Sequence, residues 1–108
     1  MVYAKPRYSN NNKITLSITY SSDEAVCYVK IKGDIGTTSI TNCTVSLTDS
    51  NGNEVKSWSN LSSQSTMLIC TKTASSVTKG ETYTLSVSAY VNRNGSSEHV
   101  TDSISKKY

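Results

Sequence analysis

The chain has 108 residues, a hydrophobic fraction of 35% and a formal net charge of +3. That length suits one domain with a single two-layer core, and no apolar run approaches the roughly 18 residues that cross a membrane as a helix. The basic residues are scattered from Lys5 to Arg93, with only Lys106 and Lys107 adjacent near the end, so the concentrated basic face of a nucleic-acid binder is missing.

Residues 1–12 close on the polar cluster SNNN and read as a flexible or edge-strand lead-in; residues 13–108 read as one domain. Ile14, Leu16, Ile18 and Tyr20 alternate with Thr15, Ser17 and Thr19, the period of a half-buried strand. Ser21-Ser22-Asp23-Glu24 turns the chain, and Ala25, Cys27, Val29 and Ile31 form the inward side of a second strand, with Tyr28, Lys30 and Lys32 outward. Gly33-Asp34 and Gly36 mark a loop, after which Cys43, Val45 and Leu47 face inward on a third.

Asp49-Ser50-Asn51-Gly52-Asn53 is a hairpin signal, because Asn-Gly readily takes the two positive-φ positions of a type I′ turn. Glu54 to Trp58 returns as a short strand, Ser59 to Thr66 is a hydroxyl-rich link, and Met67 to Thr73 is a further strand of ambiguous facing. Residues 77–91, VTKGETYTLSVSAYV, hold the clearest pattern in the chain. Tyr83, Leu85, Val87, Ala89 and Val91 point one way and Thr82, Thr84, Ser86, Ser88 and Tyr90 the other. Val77, Gly80 and Tyr83 stand three apart, as in a tyrosine corner, where glycine supplies a positive φ and the tyrosine hydroxyl bonds back to the loop backbone. Asn92-Arg93-Asn94-Gly95 is a second hairpin, and Val100, Asp102 and Ile104 form the last strand. No segment carries an apolar helical stripe with caps.

About seven short antiparallel strands separated by turns describe an all-β, immunoglobulin-like or fibronectin type III-like β-sandwich; a small barrel is the alternative. An antibody-type domain places cysteines on its second and sixth strands, and the sixth strand here has none. The VxxGxxY corner and the strand after it resemble a fibronectin type III module, although Cys27 or Tyr28 lies where that family has a tryptophan. Across most of the chain, PRYS, the second-strand cysteine after an alanine, LTDSNGNEVKSWS and GETYTLSVSAY resemble a group of small, secreted, functionally uncharacterised β-sandwich proteins of Gram-positive, often gut-dwelling, bacteria. The resemblance implies an extracellular or cell-surface location and no catalytic residues. MVYAKPRYS has no apolar segment of its own, so such a location requires an export signal ahead of Val2.

Cys27, Cys43 and Cys70 cannot all pair within one chain, no CxxC occurs, and a single histidine makes a zinc quartet implausible. In an exported protein one bridge and one thiol are expected; in a cytosolic one, three small core hydrophobes. Cys27–Cys70 is the favoured bridge because the second and fifth strands neighbour each other in a sandwich sheet, and Cys27–Cys43 is the inter-sheet alternative.

No catalytic, cofactor or metal residue is assigned. Asp49 to Glu54 opens like a calcium loop, but Glu54 takes the sixth place that an EF-hand reserves for glycine. His99 neighbours Glu98 without any nucleophile motif, and its parity opposite to Val100 and Ile104 places it in solvent. Asn42, Asn60 and Asn94 fit the N-glycosylation pattern in a chain rich enough in Asn, Ser and Thr to match it by chance. Trp58 is either a core plug or an exposed platform for a sugar or protein. Tyr28 and Tyr90 lie on outward faces, and together with Trp58, Asn92, Arg93 and Asn94 they form the expected partner-binding set. The expected function is a non-enzymatic binding module for a protein or glycan, without nucleic acid or membrane insertion; the alternative is a structural protein that self-associates through exposed strand edges.

Overall fold

The computed structural model describes residues 12–108 and organises them as seven strands: β1 (Lys13–Ser21), β2 (Glu24–Lys32), β3 (Thr37–Thr48), β4 (Glu54–Ser63), β5 (Met67–Ala74), β6 (Thr82–Arg93) and β7 (Ser96–Lys107). They pair antiparallel into a three-stranded sheet, β1-β2-β5, and a four-stranded sheet, β4-β3-β6-β7. The all-β sandwich read from periodicity is the observed fold. The expected lead-in lies almost wholly outside the described residues, and Asn12 directly precedes β1.

Alternation does most of the work of specifying this core. Ala25, Cys27, Val29 and Ile31 of β2 are all fully buried, as are Leu85, Ala89 and Val91 of β6, with Tyr83 and Val87 nearly so. Each strand therefore buries one row of side chains and leaves the other wet. The facing of β5 is now fixed: Leu68 and Ala74 are buried, Cys70 and Lys72 share their parity, and Ile69 is exposed.

Two strands depart from strict alternation, and each has one of its register shifts at an asparagine with positive φ. On β3, Ile40 and Cys43 are both buried although three residues apart, because the register shifts around Asn42 (φ 51°). This bulge lets β3 begin at Thr37, six residues before the inward run that starts at Cys43. On β4 the shift falls at Asn60 (φ 59°), so the strand continues through the hydroxyl-rich segment expected as a link and sets Leu61 opposite Cys43.

The turns also differ from expectation. At Asp49–Asn53 only Gly52 of the Asn-Gly pair has positive φ (82°), so the turn is not type I′. Gly52 N donates to Asp49 O at 3.0 Å, and Asp49 Oδ1 accepts from Asn51 N and Asn53 N at 2.9 Å each. The aspartate organises the turn, which weakens the demand on the asparagine. The two consecutive positive-φ positions of a type I′ turn occur instead at Ser22 (φ 49°) and Asp23 (φ 62°), with Ser21 and Glu24 directly paired.

The expected Cys27–Cys70 disulfide is absent: all three cysteines are free. Register supplies the reason. Cys27 lies opposite Lys72 and Cys70 opposite Val29, so the two cysteines are diagonal neighbours on one face of the sheet. Diagonal positions are separated by about 7–8 Å, beyond the usual span of a disulfide. Cys43, on the other sheet, is fully buried.

Candidate functional site

The outer face of the four-stranded sheet carries the most organised solvent-facing surface. Because β3, β6 and β7 pair in register, their outward residues stand in rows across the sheet: Thr44, Ser88 and Thr101 in one, Ser46, Ser86 and Ser103 in the next. These six hydroxyl residues, with Val87 and Asp102, line a shallow groove of about 560 Å³. The Thr84 and Ser105 hydroxyls hydrogen-bond at 2.7 Å on one side of it. On the other side Tyr90 lies between Thr41 and His99, its ring stacked on the imidazole at a centroid distance of 4.8 Å and an angle of 28°. Asn92 closes the field. Its Nδ2 donates to Ser39 Oγ at 3.0 Å and to Thr41 Oγ1 at 2.9 Å, and its Oδ1 accepts from Ser97 Oγ at 2.6 Å.

Chemically this face is a lattice of groups that both donate and accept, spaced by the pleat along each strand and by the interstrand distance across it. Between the rows of Ser105 and Ser97, β3, β6 and β7 turn no formally charged side chain onto it. Asp102 reaches the groove only from the free edge of β7, and its Oδ1 accepts from Ser103 N at 2.8 Å. The one aromatic plate is the Tyr90–His99 stack, with Tyr90 39% exposed.

The residues of the expected binding set are not gathered into one patch. Tyr90 and Asn92 share the hydroxyl face. Tyr28 lies on the opposite outer face, between Ser17 and Thr71. Trp58 sits opposite Val45 on the inward side of the edge strand β4, half-buried against the core, so it is neither a sealed plug nor an open platform. Arg93 is spent on structure: its guanidinium donates to Ile35 O and, at 3.4 Å, to Thr37 Oγ1, tying down the β2–β3 loop. Asn94 is exposed at the tip of the β6–β7 hairpin. What periodicity missed is the assembly of the serines and threonines. Their outward parity on β6 was readable, but the β3 and β7 residues that join them are set by pairing between distant segments.

Reactive groups are few. Burial pushes the Cys27 and Cys43 thiols up to about 11, with Cys70 adding to both shifts, so they stay protonated at neutral pH. Burial also raises Cys70, opposed by Lys72 beside it. His99 is exposed, as its parity requires. Among the described residues no three His, Cys, Asp or Glu side chains cluster as metal ligands, and the Asp49 carboxylate is already engaged by its own turn.

No protein-family model matches the chain, and no curated protein matches it in sequence. Among solved structures it is similar to a β-glucuronidase from Parabacteroides merdae, crystallised with glycerol in the active site, at a TM-score of 0.54 and 14% identity. The match covers 85% of this chain and 13% of the enzyme chain. At that identity the likeness is one of fold.

Proposed function

We propose that this chain is a non-enzymatic, exported binding module whose recognition surface is the outer face of β3, β6 and β7, and that its partner is an uncharged glycan. The observation that carries the reading is the hydroxyl field around the groove with the Tyr90–His99 stack at its margin. Sugar hydroxyls need partners that both donate and accept, which serine and threonine supply, and the apolar face of a sugar ring packs on an aromatic plate. A neutral field favours a neutral ligand, since a charged one would be desolvated there without a counter-charge.

Export agrees with the resemblance to small secreted proteins. Fibronectin type III character is supported by the corner, where Thr78 N donates to Tyr83 Oη at 2.7 Å, and by β4 joining the sheet of β3. Self-association through strand edges is the weaker reading. The edge strand β7 places Asp102 and Lys106 on its inward parity, β5 places Lys72 there, and β4 carries the Asn60 bulge, all devices that discourage edge pairing.

A glycan array followed by titration calorimetry tests the proposal. Binding of a neutral oligosaccharide, weakened roughly ten-fold or more by Tyr90→Ala and by Ser88→Lys, is the expected result. Finding no glycan bound, or a bound glycan indifferent to both substitutions, overturns it.

A further inference from the structure

We infer that copies of this chain associate end to end, the Ile35 loop of one docking on the stacked Tyr20 and Tyr108 rings of the next. This association is independent of the hydroxyl face. Ile35 is 89% exposed, the largest exposure among the big apolar side chains described. A lone exposed isoleucine is ordinarily unremarked, but this one is mounted on a loop with little freedom left. Thr37 N and Oγ1 donate to Asp34 O at 3.1 and 2.7 Å, Ile35 N donates to Asp34 Oδ1 at 2.8 Å, and Asp34 N donates to Asn12 Oδ1 at 2.9 Å. Gly33 N donates to Thr66 O at 2.8 Å, and Arg93 holds Ile35 O. A loop fixed before contact loses little entropy on docking.

The opposite end offers a matching seat. Tyr20 and Tyr108 stack at 4.6 Å and 7°, half-buried. Tyr108 is held by Asp23 N donating to its Oη at 2.9 Å and by its own N donating to Glu81 O at 2.8 Å. Charge distinguishes the ends in the complementary sense. Lys13, Lys32 and Arg93 outnumber Asp34 and Glu98 at the Ile35 end, whereas Asp23, Glu24, Asp49, Glu54 and Glu81 outnumber Lys56, Lys79, Lys106 and Lys107 at the tyrosine end. Lys13 and Lys32 are paired across β1 and β2 and share a recess with Ile35.

Size sets the strength. The molecule measures 50 × 33 × 19 Å, so each end presents about 600 Å², under the ~800 Å² per partner of a standard interface. The association is therefore weak and grows with concentration or tethering. Knob and seat lie at opposite ends of the long axis, so the contact is heterologous and does not close on itself.

Sedimentation of the intact chain from micromolar to millimolar concentration, at low and high salt, decides the matter. The expected mass average rises past the dimer without a plateau and falls in salt. Ile35→Asp shifts the curve at least roughly ten-fold to higher concentration while melting like the parent, and Ile35→Leu does not. Lys32→Glu and Glu24→Lys each weaken association, and mixing the two restores open-ended growth, because the unmodified knob of one variant meets the unmodified seat of the other and the two reversed charges complement each other. A strict monomer throughout, a closed dimer of the unmodified chain, or an Ile35→Asp variant that associates normally overturns the inference.

Discussion

The two ends of the sandwich solve one problem with different chemistry. Each must hold a loop that passes between sheets. At the tyrosine end the means are aromatic: Tyr83 is buried and its hydroxyl accepts from Thr78 N, Tyr20 lies 6.1 Å from Tyr83 and stacks on Tyr108, and Gly80 N donates to Tyr108 O at 3.1 Å. At the Ile35 end the means are polar and steric. Thr37 is the one buried polar residue described, and it packs so tightly on Gly33 that a Cβ there would fall 2.3 Å from its Oγ1. Gly36 (φ 95°) faces the Arg93 guanidinium in the same way. Large rings tolerate small shifts, whereas a glycine against a threonine leaves no slack. The tyrosine end should soften gradually under substitution and the Ile35 end should fail at single atoms.

Alkaline pH acts on the core between the ends and sets the scale. An unfolded chain ionises its thiols near 9, while the folded state holds Cys27 and Cys43 protonated to about 11. Stability is therefore complete below pH 9 and lost as pH rises toward 11, by about 1.4 kcal/mol per pH unit for each thiol. Denaturant titrations across that window should show the loss, and a Cys27→Ala, Cys43→Ala double variant should be spared most of it, keeping the share that burial of Cys70 and Tyr20 contributes in the same direction.

Tyr83→Ala should cost about 4 kcal/mol, by the loss of a buried aromatic ring. Gly33→Ala should cost about 3 kcal/mol, although it adds one methyl group, because the backbone or Thr37 must move. Thr37→Ala should recover only part of that, since the threonine Cβ is itself 2.7 Å from the added atom. A double-mutant cycle by chemical denaturation measures the coupling. Tyr83→Phe, which keeps the ring and removes the acceptor for Thr78 N, should cost about 1–2 kcal/mol, with faster hydrogen exchange at the Thr78 amide. Equal costs for Gly33→Ala and a substitution at unhindered, exposed Gly80 would erase the contrast between the ends, unless the positive φ of Gly80 alone accounts for them.

The tyrosine end was far more legible in the sequence than the Ile35 end. A corner is local: Val77, Gly80 and Tyr83 lie within seven residues, and the hydroxyl bond closes on Thr78 inside that window. The strands of β1, β2 and β6 were equally legible, since a period of two needs only neighbours. The Ile35 end draws on Asn12, Thr66 and Arg93, brought to the loop only by the completed fold. The same distinction explains the bulges. Asn42 and Asn60 take positive φ because distant strands must meet in register, and nothing beside them in the chain announces it. It also explains the hydroxyl face, half of it visible as the outward parity of β6 and the rest supplied by β3 and β7. The cysteines show the same limit: that β2 and β5 are neighbours follows from the sandwich topology, whereas the diagonal offset between Cys27 and Cys70 belongs to register alone.

The odd number of strands has a mechanical consequence. Seven antiparallel passes leave Asn12 and Tyr108 at opposite ends of the 50 Å axis, with β1 and β7 running in the same direction side by side. They are stitched by Tyr20 Oη donating to Lys106 O at 2.6 Å and Lys106 Nζ donating to Ile18 O at 2.9 Å. Tension applied between those two residues pulls along the strands rather than across them. The ladder bonds are then loaded together in shear instead of being unzipped singly, and the sandwich behaves as a stiff link that carries force from one tip to the other.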